Sequence, residues 1–236
     1  MTAAVIPVKS LGAGKSRLLP ELSRDRLDAL CLAMLEDLIG ALQATPALAR
    51  VAVATPDDRI AAHARSFGAE ALHGPDPGLN AAIDAAPDKL GLAPDAPLLV
   101  VLGDVPGARP DEVQQLFEAL EAMGPGPGAV LAPSRDGGTS ALLRRPHRAL
   151  PARFGPQSAA RHREAAQSAG VPLRELSLPS LAIDLDRAED LRSFLGETET
   201  EGGACTRRFL EELGWSADPP PPSGLSAKKS APADSK

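Results

Sequence analysis

The chain contains no tyrosine, one tryptophan and five phenylalanines, so its core must be packed with aliphatic side chains. Cysteine is scarce as well. Cys31 and Cys205, the only two, give neither a disulfide framework nor a metal-ligand spacing and read as unpaired thiols in a reducing cytoplasm. No apolar run approaches the roughly 20 residues that span a bilayer, and Met1 leads directly into a strand-like segment without a positively charged leader. A soluble, cytoplasmic protein with no membrane partner is therefore expected. Positive charge is also in deficit, with 25 Lys and Arg against 31 Asp and Glu and a formal charge of −6. That balance excludes a general nucleic-acid binder, which needs a basic face for the phosphate backbone. An anionic ligand has to be held locally, by a basic cluster, a bound cation or exposed backbone amides.

What the chain does have is a 43% hydrophobic content over 236 residues, organised as short apolar runs alternating with longer amphipathic stretches. This is the pattern of one layered α/β domain with a largely parallel sheet flanked by helices. Strands are expected at 3–8, 50–54, 69–72, 97–102, 128–132, 140–143, 173–178 and 181–184. Helices are expected at 24–43, with Ser23 as N-cap, and at 57–67, 79–86, 111–123, 158–170 and 188–195. From residue 197 to 236 the composition turns to Glu, Thr, Gly, Ser and Pro, which reads as a flexible tail following a folded domain of residues 1–196. Within it, 206–213 could form a short helix that docks back.

Four constellations carry candidate chemistry. Behind the first apolar run lies a loop with Gly12 and Gly14 and three cations, Lys9, Lys15 and Arg17. A loop after the first strand of an α/β sheet is where phosphates are usually held. The Gly14-Lys15-Ser16 triplet is not a P-loop, because Lys9 stands where that motif requires glycine. The second constellation is the buried-strand run 98–102 followed by Gly103 and Asp104, a carboxylate at the carboxyl end of a strand. The third is Asp184 and Asp186: in an extended segment they face the same side, and oxygen-only ligands suit magnesium. Capping of the following helix by Asp186 is the alternative. The fourth pairs the Gly-Gly-Thr-Ser stretch ending at Thr139 and Ser140 with Gly155 and Ser158, the latter at a helix amino end suited to an anion; a turn and a cap explain the same residues. Asn80 could hydrogen-bond a nucleotide or cap a helix, and His162 reads as a surface residue.

Taken in order, Ile6-Pro-Val-Lys-Ser-Leu, Lys15-Ser-Arg-Leu, Thr55-Pro-Asp, Pro77-Gly-Leu-Asn-Ala-Ala, Gly103-Asp-Val-Pro, Asp136-Gly-Gly-Thr, Arg153-Phe-Gly-Pro-Gln-Ser and Asp184-Leu-Asp resemble one family. It is the phospholactate guanylyltransferases of deazaflavin coenzyme F(420) biosynthesis, and the resemblance covers residues 4–195. It implies a single-domain, Rossmann-like nucleotidyltransferase fold of the molybdopterin-guanylyltransferase type, with a mixed, mostly parallel sheet. It also implies transfer of GMP from GTP to 2-phospho-L-lactate, phosphoenolpyruvate or 3-phospho-D-glycerate. Asp104, Asp184 and Asp186 match magnesium ligands; Thr139, Gly155 and Ser158 match the acceptor site. Lys15, with Asp104, is the expected catalytic pair, while Lys9, Lys15, Arg17 and Asn80 fall to the nucleotide. The chain departs from the family at Ser140, where Asn is common, and at Gly103, where Ala is common. A pterin or sugar-alcohol acceptor, or nucleotide binding without catalysis, stays open at this stage, as do a homodimer and hand-off of product to the downstream transferase.

Overall fold

The computed structural model describes residues 1–197 and 202–218. Seven strands, β1 (Ala3–Pro7), β2 (Arg50–Thr55), β3 (Glu70–His73), β4 (Leu98–Val101), β5 (Gly128–Pro133), β6 (Thr139–Arg145) and β7 (Leu173–Glu175), form one sheet in the order β3-β2-β1-β4-β6-β5-β7. β6 runs antiparallel to both β4 and β5, and every other pairing is parallel. β1 and β4 read as unbroken apolar runs because helices cover both faces of the sheet. One face packs on α1 (Arg24–Gln43), α2 (Asp58–Ser66) and α4 (Pro110–Glu121); the other packs on α3 (Leu79–Lys89) and α5 (Ser158–Ala169). The expected mixed, mostly parallel α/β architecture is the observed one.

Two expectations need correction. The run at 181–184 is not a strand. Pro179 opens a one-turn helix, α6 (Pro179–Ala182), tied down because Ser180 donates from both N–H and Oγ to the buried Glu112 carboxylate at 2.9 and 2.7 Å. Beyond it the chain runs extended but unpaired in the sheet, held by the Leu185 N–H donating to the Asp104 carbonyl at 2.9 Å. Nor does ordered structure end at 196. Past α7 (Ala188–Gly196), the short helix that the sequence offered at 206–213 is present as α8 (Ala204–Glu212) and packs on α1. The Asp37 carboxylate on α1 accepts from Cys205 N–H, Thr206 N–H and Thr206 Oγ at 2.7–2.9 Å, serving the unpaired amides of the α8 amino end. Residues 198–201 and 219–236 of the expected tail lie outside the described residues.

A third apolar cluster explains why α8 matters. Leu18 and Leu22 behind the glycine loop, Leu27, Leu30 and Met34 of α1, Ile183 and Leu185 beside Asp184, Leu191 and Phe194 of α7, and Leu210 of α8 are all buried together. The loop bearing Lys15 and the segment bearing Asp184 and Asp186 are thus anchored to a common apolar wall.

Candidate active site

The carboxyl ends of β1 and β4 open into a cleft of about 510 Å³. Nine of the ten residues selected from the sequence line it: Lys9, Lys15, Arg17, Asp104, Thr139, Gly155, Ser158, Asp184 and Asp186. Asn80 is the exception. Its Oδ1 accepts from Phe154 N–H at 2.7 Å and its Nδ2 donates to the Phe154 carbonyl at 3.2 Å, so it clamps the loop that presents Gly155.

The glycine loop is shaped from outside itself. Leu11 N–H donates to Asp57 Oδ2 and Gly12 N–H to Asp28 Oδ1, both at 2.9 Å, and Arg24 holds the Gly14 carbonyl at 3.0 Å. Two of the amides that the sequence offered to a phosphate are therefore occupied. The loop's cations remain. Lys15 sits in the left-handed region at φ 55°, a conformation unusual for a side chain larger than glycine. That backbone turn directs its ammonium inward, 2.8 Å from Asp186 Oδ1 and 3.3 Å from Asp104 Oδ2. Burial opposes the charge on Lys15, but the two carboxylates outweigh it and hold the ammonium above its ordinary range. Arg17 Nη1 lies 3.5 Å from the other Asp186 oxygen. Against its own burial, Asp186 is held below the usual carboxylate range by Lys15 and Arg17. It does not cap α7: Asp190 reaches back to accept from Asp186 N–H and Arg187 N–H at 3.1 and 2.6 Å.

The three aspartates do not form a preassembled metal cage. Among the described residues no group of three or more His, Cys, Asp or Glu side chains is gathered to hold an ion. The physical reason is Lys15, whose ammonium stands between Asp104 and Asp186 and pairs with both. What remains does suit a hard cation. Asp104 Oδ1 is buried with no hydrogen-bond partner. The Asp184 carboxyl is pushed up to about 6, by burial first and then by the negative charge of Asp104 and Asp136. An oxygen lacking a donor and a carboxylate crowded by others are both relieved by one cation, and oxygen donors fit magnesium.

Opposite these charges stands a wall of hydroxyls. A shift in register between Ala132 and Pro133 marks a bulge where β6 begins, and such irregularities re-aim side chains. Thr139 Oγ1 lies 3.0 Å from Ser158 Oγ and 3.0 Å from His162 Nδ1, with all three residues buried. Gln157, not Ser158, is the N-cap of α5, so Ser158 is the first residue of the helix. His162, expected at the surface, is fully buried under the 150–157 loop. Its edge meets the Phe154 ring at 5.0 Å between centroids, and Nε2 accepts from Arg153 N–H at 3.0 Å. Burial, with the guanidinium charges of Arg144, Arg161 and Arg153, lowers its pKa to about 4. Ser140 Oγ, also on the cleft wall, is buried and unpartnered within the described structure.

Cations at the end of β1, carboxylates at the end of β4 and a hydroxyl wall on an antiparallel β6 define a nucleotidyltransferase. A nucleotidyl transferase from Methanothermobacter thermautotroptrophicus shares the fold, with a TM-score of 0.60 over 90% of this chain and 99% of that one at 16% identity. The family described as "Guanylyl transferase CofC like" matches residues 2–229, and the chain belongs to it. A phosphoenolpyruvate guanylyltransferase of Sphaerobacter thermophilus is 39% identical over 83% of this chain and 93% of its own length. A 3-phospho-D-glycerate guanylyltransferase of Phenylobacterium zucineum is 37% identical over 90% and 95%.

Proposed function

We propose that this nucleotidyltransferase transfers GMP from GTP to a phosphorylated three-carbon acid of the phosphoenolpyruvate, 3-phospho-D-glycerate or 2-phospho-L-lactate class, in coenzyme F(420) biosynthesis in the cytoplasm. The observation that carries this is one cleft holding an ammonium on two carboxylates on one side and the Thr139–Ser158 hydroxyl pair on the other. A phosphate oxygen of the acid attacks the α-phosphorus of GTP. A new P–O–P bridge forms, the bond to the β-phosphate breaks, and its electron pair leaves with pyrophosphate. The nucleophile is already an anion, so positioning and charge neutralisation matter more than a general base. In agreement, the buried His162 is held neutral and sits behind hydroxyls rather than at the cleft's centre.

Lys9, Lys15 and Arg17 meet the triphosphate, and Lys15 neutralises charge that grows on the leaving group. Thr139, Ser158 and the Gly155 backbone hold the acid. Asp104 and Asp184 would hold magnesium, with Asp186 available once Lys15 turns to the nucleotide; the ion supplies further neutralisation of phosphate charge.

The test is to incubate the purified protein with GTP, magnesium and each acid in turn, following pyrophosphate release and the mass of the guanylylated product. One acid should give product. Turnover only with a pterin or sugar alcohol, or nucleotide binding with no turnover at all, would replace this reading.

A further inference from the structure

His162 lies one layer behind the acceptor wall, and its hydrogen bonds decide what that wall offers. Its Nε2 faces the Arg153 main-chain N–H at 3.0 Å. A backbone amide only donates, so Nε2 must accept. A neutral imidazole then carries its single proton on Nδ1. Nδ1 lies 3.0 Å from Thr139 Oγ1 and therefore donates to it.

The consequence reaches the cleft through Ser158. Thr139 Oγ1 and Ser158 Oγ are 3.0 Å apart, close enough to share one hydrogen bond. Two hydroxyls own two protons, and only one of these can lie between them. In the opposite ring tautomer the second would be absorbed: Ser158 would donate to Thr139 and Thr139 to Nδ1, leaving the wall without a donor. With Nδ1 protonated that outlet is closed, and one hydroxyl proton must point out of the pair. Both residues line the cleft, so the wall presents a donor, which is what a phosphate or carboxylate oxygen requires.

We propose that His162 is a positioning residue for acceptor binding: through its Nδ1–H bond to Thr139 it turns one hydroxyl proton of the Thr139–Ser158 pair toward the anionic acid. This rests on the reading of Thr139 and Ser158 as the acceptor wall. His162 touches neither substrate. The bulge that starts β6 and the Asn80 clamp on Phe154 complete the device, since they bring Thr139 and the Arg153 amide to opposite ring nitrogens.

Three full-length proteins test it, wild type, His162→Phe and His162→Asn, with GTP and whichever acid gives product. Phe keeps the ring and its packing on Phe154 but has no donor; Asn can return an N–H near the Nδ1 position. Loss of one hydrogen bond to an anion predicts an acceptor KM raised about tenfold or more in His162→Phe. kcat and the GTP KM should stay within about twofold of wild type, and His162→Asn should recover most of the loss. In parallel, imidazole nitrogen NMR of the wild type should show a proton on Nδ1 and none on Nε2. An unchanged acceptor KM in a folded His162→Phe, a uniform loss of both KM values and kcat, or a proton on Nε2 would each overturn the proposal. Absence of turnover by wild type with every acid would instead sink the guanylyltransferase reading, and the NMR result still decides the tautomer.

Discussion

At the residue scale the site depends on Lys15, because its ammonium keeps two carboxylates together at the mouth of the cleft. Lys15→Met retains length and removes charge. It should lower kcat by about a hundredfold to a thousandfold, the size expected for losing a preorganised charge at a leaving group, with far-UV circular dichroism unchanged. His162 gives a pH prediction. Its folded pKa of about 4 lies below the ordinary 6.5, so the unfolded chain takes up the proton first. The stability that His162 contributes as a neutral ring is present above about 6.5 and lost as pH falls toward 4, by up to about 3 kcal/mol. The guanidinium groups of Arg144 on β6, Arg161 on α5 and Arg153 in the 150–157 loop bear on the ring. Urea midpoints measured through that pH range should fall less steeply for His162→Gln than for wild type. Lys15 and Asp104 were legible in the sequence because a glycine loop and a buried strand each end on them. His162 was not, since its burial depends on a loop folding over α5 and no local pattern encodes that.

At the scale of elements, the 150–157 loop is held by side chains distant in sequence. Asp84 of α3 accepts from Ala152 N–H at 3.2 Å and from the buried Arg144 guanidinium, which also donates to the Leu150 carbonyl. Asn80 pairs with both backbone groups of Phe154. Asn80→Ala leaves those groups without their partners and frees the segment before Gly155. The acceptor KM should then rise severalfold while the GTP KM holds, a split that steady-state kinetics resolves. If Asn80 met the nucleotide, the GTP KM would move instead. The same scale explains the misread strand at 181–184. The short apolar run fitted a strand, but Pro179 and the Glu112 carboxylate impose a helical turn first.

For the whole molecule, the third apolar cluster links a chain end to the chemistry. Leu210 of α8 packs with Leu18 behind Lys15 and with Leu185 beside Asp184 and Asp186. Leu210→Ala should destabilise the protein by about 2–5 kcal/mol, read from urea denaturation. A chain ended at Gly196 should be less stable still, with a raised GTP KM, because the wall behind both charged segments is then open. A 196-residue protein with wild-type stability would show that α8 is dispensable. All seven strands and six of the helices among the described residues could be placed from periodicity alone, since burial on two sheet faces writes itself into apolar runs. The sequence offered a helix at 206–213 as well, but not its seat, because that depends on Asp37 of α1 meeting the amino end of α8.

The sequence by itself determined the alternation of strands and helices, the candidate residues that line the cleft at the ends of β1 and β4, and the family, because these are written in local patterns and ordered motifs. Only the tertiary structure decided that Lys15 stands between two aspartates, that Asn80 serves a loop, and that a buried histidine meets the Thr139–Ser158 hydroxyl pair. Each of those facts depends on groups far apart in the chain meeting within hydrogen-bonding distance. A linear pattern names such groups without saying which of them will touch.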